Sequence, residues 1–167
     1  IMLCAKGIFG YIIFLVSIKQ SYKVGKVFSN FAPYFIKMNI TIRPATIEDM
    51  PSVLEIVNHE ILYSTSIWDY DTRTLEQQIA ILKEKKEHHF PFIVAEKEDK
   101  IVGFGTYGSF RFKIGYQFTV EHSVYVHNDF HGNGIGKLLL LELISLAKTQ
   151  KLHTMIGVID SENHNSI

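Results

Sequence analysis

The run TVEHSVYVHNDFHGNGIGKLLLLELISLAK, from Thr119 to Lys148, limits what this chain can fold into more than any other stretch. It starts β-branched, passes through a polar loop with Gly132, Gly134 and Gly136, and continues as a leucine-rich helical pattern from Ile135 or Lys137. Strand, glycine loop and helix in that order suit an anion. Closely spaced glycines let the main chain approach a ligand without Cβ interference, and the unpaired amides of a helix N-terminus carry the positive end of its dipole. Spacing then separates the candidate ligands. A P-loop requires four residues between its glycines and a Ser or Thr after its Lys, whereas Lys137 is followed by Leu138. A dinucleotide fingerprint requires G-x-G-x-x-G directly after a strand. Here the third glycine arrives one residue early, although Asp160 stands where a ribose-binding acid would. On the residues alone, a dinucleotide loop and a glycine turn without a ligand both stay open.

The segment His131-Gly132-Asn133-Gly134-Ile135-Gly136 resembles the pyrophosphate-binding signature of the GCN5-related N-acetyltransferases (GNAT), written Gln/Arg-x-x-Gly-x-Gly/Ala. Val120-Glu121-His122-Ser123-Val124-Tyr125-Val126 is similar to a strand of their phosphinothricin N-acetyltransferase branch, which acetylates the α-amino group of glutamate- or methionine-like compounds. The resemblance runs from about Ile40 to Ile167 and is most specific from Gly103 to Gly136. One departure is His131, which stands where Gln or Arg is usual. The resemblance implies acetyl-CoA as cosubstrate, held at His131, Gly132, Asn133, Gly134, Ile135, Gly136 and Lys137 and by Asn163 after the next strand. It also implies that the main chain of Val124, Tyr125 and Val126 polarises the thioester carbonyl, and that transfer is direct, without a covalent enzyme intermediate.

At 167 residues the chain suits one domain with a sizeable core. Its 17 basic and 17 acidic residues balance, so nothing points to nucleic acid. Cys4 is the only cysteine, which supports neither a disulfide framework nor a thiolate metal site and fits a reducing, cytoplasmic setting. Residues 1–37 differ in composition from the rest of the chain. Ile8 to Ile18 is apolar over about eleven residues, short of the roughly 20 that span a bilayer, although Lys6 mimics the basic region of a signal peptide. Because the chain opens on Ile1 and Met38 directly precedes the first family-like strand, the expected domain is 38–167 and the leader is extra sequence. A membrane-targeting leader is the alternative.

From Met38 onward, strand and helix alternate. Asn39 to Arg43 reads as a strand, and Thr46-x-x-Asp49 as a capping box with Pro51 in the first turn of a helix reaching about Leu62. Thr74-x-x-Gln77 opens a second helix with Leu75, Ile79 and Leu82 as its apolar stripe, and the run Lys83 to Glu87 reads as a solvated face. Phe92 to Glu96, Ile101 to Phe110, Tyr116 to His127 and Thr154 to Ile159 read as strands, and Lys137 to Lys148 as a helix apolar around most of its circumference. The expected architecture is one α/β domain with a mixed, mostly antiparallel sheet flanked by helices, GNAT-like by resemblance. In that family a helix and one or two strands come after the position of Asn163, so an unpaired sheet edge and an uncovered core face are expected. Either the domain is C-terminally incomplete, or a partner copy in a homodimer fills the gap.

Acetyl transfer to an amine requires a neutral nucleophile, and an α-amine is largely protonated near neutral pH, so a base is needed. Glu121 interrupts an apolar, β-branched strand just before the glycine loop. Alternation puts Glu121, Ser123 and Tyr125 on one face and Val120, His122, Val124 and Val126 on the other, unless a bulge intervenes. Partial burial would raise the carboxyl pKa into a useful range; the alternative is an edge-strand Glu facing water. By resemblance Glu121 is the base, and Tyr125 stands in for an acid that the family carries further on. Arg111 and Tyr116 fall in the segment that carries substrate contacts in that branch, and an Arg can hold a carboxylate through two parallel hydrogen bonds. Trp68, the only Trp, falls where relatives wall the acceptor site. His127 and His131 lack a third ligand, so no metal is expected, and Ser123 lacks triad partners. The expected activity is acetyl transfer from acetyl-CoA to the amino group of a small amino acid or a phosphinothricin- or methionine sulfoximine-like analogue. The alternatives are an inactive domain that only binds CoA or a partner chain, and a nucleotide-linked oxidoreductase.

Overall fold

A computed structural model describes residues 2–6, 11–18, 39–67, 69–161 and 163. Its strands are β1 (Met2–Lys6), β2 (Tyr11–Ser17), β3 (Ile40–Pro44), β4 (Phe92–Lys97), β5 (Lys100–Ser109), β6 (Thr119–Val126) and β7 (Thr154–Asp160). Three α-helices join them: α1 (Met50–Tyr63), α2 (Leu75–Glu87) and α3 (Ile135–Thr149). The strands form one sheet in the order β1-β2-β7-β6-β5-β4-β3. Every neighbouring pair is antiparallel except β6 and β7, because α3 crosses between those two and returns the chain in the same direction.

Local chemistry sets the element boundaries. Glu98 and Asp99 both take positive φ, at 50° and 61°, which gives the tight turn of the β4–β5 hairpin the twist it needs. Before α1 the Asp49 carboxylate accepts from the Thr46 amide at 2.8 Å and from Arg43 Nη1 and Nη2 at 2.7 and 2.8 Å. The guanidinium holds the Asp49 carboxyl below its ordinary range and ties the end of β3 to the helix start. The expected capping box at Thr74 forms, with the Thr74 amide donating to Gln77 Oε1 at 2.8 Å and the Gln77 amide to Thr74 Oγ1 at 3.3 Å. The strand expected from Tyr116 begins only at Thr119, since Ile114–Tyr116 is a 3-10 turn.

Alternate strand residues feed two cores. Phe92, Val94 and Phe104 face α1 and α2, packing on Met50, Val53, Ile56, Val57 and Leu82. Ile93, Ala95, Val102, Val120 and Met155 face α3, packing on Leu138, Leu139, Leu143 and Ala147. Each Val, Leu, Ile, Phe or Met among them contributes about 1.5–3 kcal/mol by leaving water.

The expected unpaired edge on β7 is not there. β2 pairs with β7 from Tyr11↔Asp160 to Ser17↔Thr154, so part of the apolar run that reads as a leader is a sheet strand, with β1 beyond it. Two physical reasons account for this. A short apolar run carries no periodicity that distinguishes strand from other buried segments, and a row of unpaired N–H and C=O groups on β7 attracts any extended segment that can reach it. Among the described residues no helix is long and apolar enough to cross a membrane.

Candidate active site

β6 is paired differently on its two edges. Toward β5 the register is unbroken from Gly103↔Val126 to Ser109↔Val120, with no bulge. Toward β7 it holds only for Thr119↔Thr154, Val120↔Met155 and Glu121↔Ile156. Beyond Glu121 the two strands part and leave a fork. The His127 amide donates to Val102 O at 2.9 Å and the Phe110 amide to Thr119 O at 3.2 Å, so odd-numbered β6 residues direct their main-chain groups at β5. By antiparallel alternation the main chains of His122, Val124 and Val126 turn toward the fork. Tyr125, expected among the main-chain contacts, therefore has its amide committed to β5 and offers only its side chain.

The glycine loop lies at the open end. Gly132 and Gly134 take φ of 75° and 72°, a region costly for any residue with a Cβ, and Gly134 is the residue from which α3 starts. No acceptor among the described residues takes the amides of Gly132, Asn133, Gly134, Ile135 or Gly136. Nothing lies within 4 Å of where a Cβ on Gly132 would be, while Val126 and Val124 pack beneath Gly136. His131 Nε2–H donates to Val126 O at 2.8 Å and pins the corner between strand and loop. Lys97 stands beside the loop, its Nζ 5.6 Å from the Phe130 ring centre, and lines a cavity of about 250 Å3 with Phe130, Asn133 and Ile135. Open space, unspent donors and a nearby cation suit a diphosphate. Lys97 carries no signal in the sequence, because β4 reaches the loop only through the fold.

The side chains of β6 divide as alternation predicts. Val120, Val124 and Val126 pack on the α3 side, whereas Tyr125 joins the core under α1 and α2, its ring 5.2 Å from Phe104. Glu121 is half-buried on that second side, and burial pushes its carboxyl pKa up while Lys85 pulls it partly back. Lys85 is a correction to the expected solvated run. Lys83, Glu84, Lys86 and Glu87 are exposed, but the Lys85 ammonium turns inward, donates to Tyr107 O at 3.2 Å and occupies space 2.6 Å from where a Cβ on Gly108 would lie. Gly108 is directly opposite Glu121 in the ladder. A missing side chain thus makes room for a cation across from the carboxylate.

Tyr125 and Asn163 meet one loop. The Tyr125 hydroxyl is a long 3.5 Å from Ser66 O, and burial pushes its pKa up, which keeps the phenol protonated. Asn163 Nδ2 donates to Ser66 Oγ at 3.1 Å, so the loop after α1 ties together the ends of β6 and β7. Arg111 lies at the other end of β6, its guanidinium 5.0 Å from the Phe110 ring centre and 6.0 Å from that of Tyr116. Trp68 lies outside the described residues. A cavity of about 320 Å3 opens between α1 and the Val126 end of β6, lined by Glu55, His59, Glu60, His127 and Asp129 among others. It leaves no local trace in the sequence, since its carboxylates come from a helix and a loop distant along the chain. No cluster of three metal-ligating side chains occurs among the described residues.

Residues 53–167 match the acetyltransferase (GNAT) family. The chain is 36% identical over 128 residues to the L-amino acid N-acyltransferase MnaT of Escherichia coli K12, covering 77% of this chain and 74% of that protein. It is 37% identical over 131 residues to an L-methionine sulfoximine/L-methionine sulfone acetyltransferase of Pseudomonas aeruginosa, covering 78% and 76%. Its fold matches a crystal structure of a GNAT superfamily phosphinothricin acetyltransferase from Sinorhizobium meliloti in complex with AcCoA, with a TM-score of 0.74 and 28% identity over 77% of this chain and 70% of that one. Sequence and fold agree on one lineage, and the chain belongs to the GNAT family of acetyltransferases.

Proposed function

We propose that the protein transfers an acetyl group from acetyl-CoA to the amino group of a small amino acid, or of a phosphinothricin- or methionine sulfoximine-like analogue, by direct attack of the amine on the thioester. The observation that carries this reading is the fork, in which β6 and β7 separate after Glu121↔Ile156 in front of a loop whose amides have no acceptor among the described residues. The amides of Gly132, Asn133, Gly134, Ile135 and Gly136, at the start of α3, are the donors for the diphosphate, with His131 holding the corner and Lys97 and Lys137 near it. Asn163 closes the β7 side.

Acetyl-CoA supplies the acetyl group as a thioester whose carbonyl oxygen gains negative charge under attack. Main-chain donors of Val124 and Val126 face the gap where that oxygen would sit, so they stabilise the charge without reorganising. Glu121, its carboxyl raised by burial, takes the ammonium proton directly or through water, which frees the amine to form the new N–C bond as the C–S bond breaks, and the second proton on the acylated nitrogen passes to water. Tyr125, kept protonated by burial, donates its phenolic proton to the departing sulfur, and exchange with solvent resets both groups. Arg111 holds the acceptor's carboxylate, supported by Tyr116 beside it. A cytoplasmic location and a homodimer accompany this reading, the latter checked by sedimentation.

The test is titration calorimetry with CoA, followed by release of CoA thiol from acetyl-CoA in the presence of methionine sulfoximine, methionine sulfone or phosphinothricin. Saturable binding and turnover with at least one amine are expected. Binding without turnover of any of the three overturns the enzymatic reading, and no binding overturns the fork as a CoA site.

A further inference from the structure

The α3-side face of β6 is hydrocarbon at Val120, Val124 and Val126 and polar only at His122. The ring of His122 leans across onto β7, where a Cβ on Gly157 would lie 2.6 Å from Nε2 and 3.1 Å from Cε1. Gly157 is the only residue of β7 without a side chain, so the seat under the ring exists because of that glycine. His122 and Gly157 come directly after Glu121↔Ile156, the last pair before the strands part. The imidazole therefore sits at the closed end of the fork. Its Nδ1 is buried and has no hydrogen-bond partner among the described residues. Burial also keeps the ring neutral, with its pKa down at about 4. A neutral imidazole carries one donor and one acceptor nitrogen, and a buried polar atom left unmatched destabilises the fold that contains it. A valine would complete this face at no such cost, so the chain carries a buried polar group that the empty fold does not use.

We propose that His122 is a positioning residue for the cosubstrate. Seated on Gly157, its ring stops the acyl-bearing arm at the closed end of the fork, and its Nδ1 makes a hydrogen bond to that arm which the protein alone leaves unmade. The arm is an amide- and thioester-bearing chain, rich in groups that can meet either tautomer. This inference rests on the reading of the fork as an acetyl-CoA site.

Three variants test it. His122→Phe keeps a ring and removes both nitrogens, His122→Asn keeps a polar atom near the place of Nδ1, and Gly157→Ala displaces the ring. For each, the urea midpoint without ligand, the CoA dissociation constant, and kcat and KM for acetyl-CoA and for an amine that the wild type turns over are measured. His122→Phe is expected to unfold at the same or a higher urea concentration while KM for acetyl-CoA rises about tenfold, the loss of one hydrogen bond, with the amine KM unchanged. His122→Asn should restore most of that loss, and Gly157→Ala should reproduce it. A histidine that merely packs would give the opposite pattern, with a lower urea midpoint and an unchanged KM, and that outcome overturns the proposal. Should His122→Phe fail to fold, His122→Asn against His122→Leu decides the same point, since equal KM values for that pair overturn it. Failure of the wild type to bind CoA overturns both this inference and the reading beneath it, whereas equal CoA binding by wild type and His122→Phe overturns this inference alone.

Discussion

β7 is closed on one edge and half-open on the other. It exchanges main-chain bonds with β2 along its whole length, but with β6 only through Ile156. Its residues do not announce this, since Ile156, Val158 and Ile159 are equally suited to a ladder on either side of the break. What differs is how glycine is used. On the closed, β5 side of β6, glycines serve close packing, with a Cβ on Gly103 only 2.9 Å from Tyr125 O and 3.3 Å from Leu139 Cδ1. On the open side, Gly132 and Gly134 serve positive φ, and nothing crowds the place of a Cβ on Gly132. Main-chain donors are consumed within the fold on one edge and have no acceptor among the described residues on the other.

Glu121→Gln is the most severe test of the open edge. Removing a general base lowers kcat by about 10²–10⁴-fold, roughly 3–5 kcal/mol, with CoA affinity retained; a change under about threefold would mean the carboxylate does no chemistry. Deleting residues 1–18 tests the closed edge of β7. Seven cross-strand pairs are lost, each contributing about 0.2–1 kcal/mol, so stability should fall by roughly 1–7 kcal/mol in urea titration, and the bared strand should associate in sedimentation. An assembly state and midpoint unchanged from the full chain would show that β2 does not protect β7. A pair of substitutions then sets the two glycine uses against each other. Gly103→Val forces a side chain against main chain and costs about 1–3 kcal/mol of stability without changing CoA affinity in the molecules that fold. Gly132→Val meets no neighbour, costs about 1–2 kcal/mol through its backbone angle, and should lower CoA affinity measured by calorimetry. If both variants lost stability alone, the distinction between the two edges would fail.

Much of this arrangement is legible in local sequence because local rules create it. The strand, the glycine loop and the start of α3 arise from residue types within one continuous run, and the alternation of Glu121 and Tyr125 against Val120 and Val124 needs only the strand period. The capping box at Thr74 is likewise a matter of four consecutive residues. Legibility stops where a residue's role depends on what crosses its path. The segment around Phe14 reads as an apolar leader until β7 is placed beside it. His122 reads as one polar residue among valines until Gly157 is found beneath its ring. Asn163 reads as a cosubstrate contact, and its amide is turned to Ser66, a partner 97 residues away.

Lys85 is the smallest and most diagnostic case. In sequence it belongs to a charged run on a helix end, yet its ammonium lies over Gly108, across the ladder from Glu121. Two influences act on the Glu121 carboxyl: burial raises its pKa above the ordinary value, and Lys85 lowers it. Lys85→Met keeps most of the stem and removes only the second influence, so the carboxyl pKa must rise further. The base form is lost as pH falls through that pKa, so the acidic limb of the kcat/KM profile should move to higher pH in the variant. Stability changes in the same sense. A carboxyl whose folded pKa exceeds its unfolded one favours the protonated fold, so Lys85→Met should lose stability relative to wild type as pH rises from below the carboxylate range toward neutrality. A partly solvated pair contributes little, so this displacement of the limb is the smallest effect expected among these variants. A limb that moved to lower pH would break the link between this lysine and the base, and with it the claim that the closed edge of β6, through Gly108, tunes the chemistry of the open one.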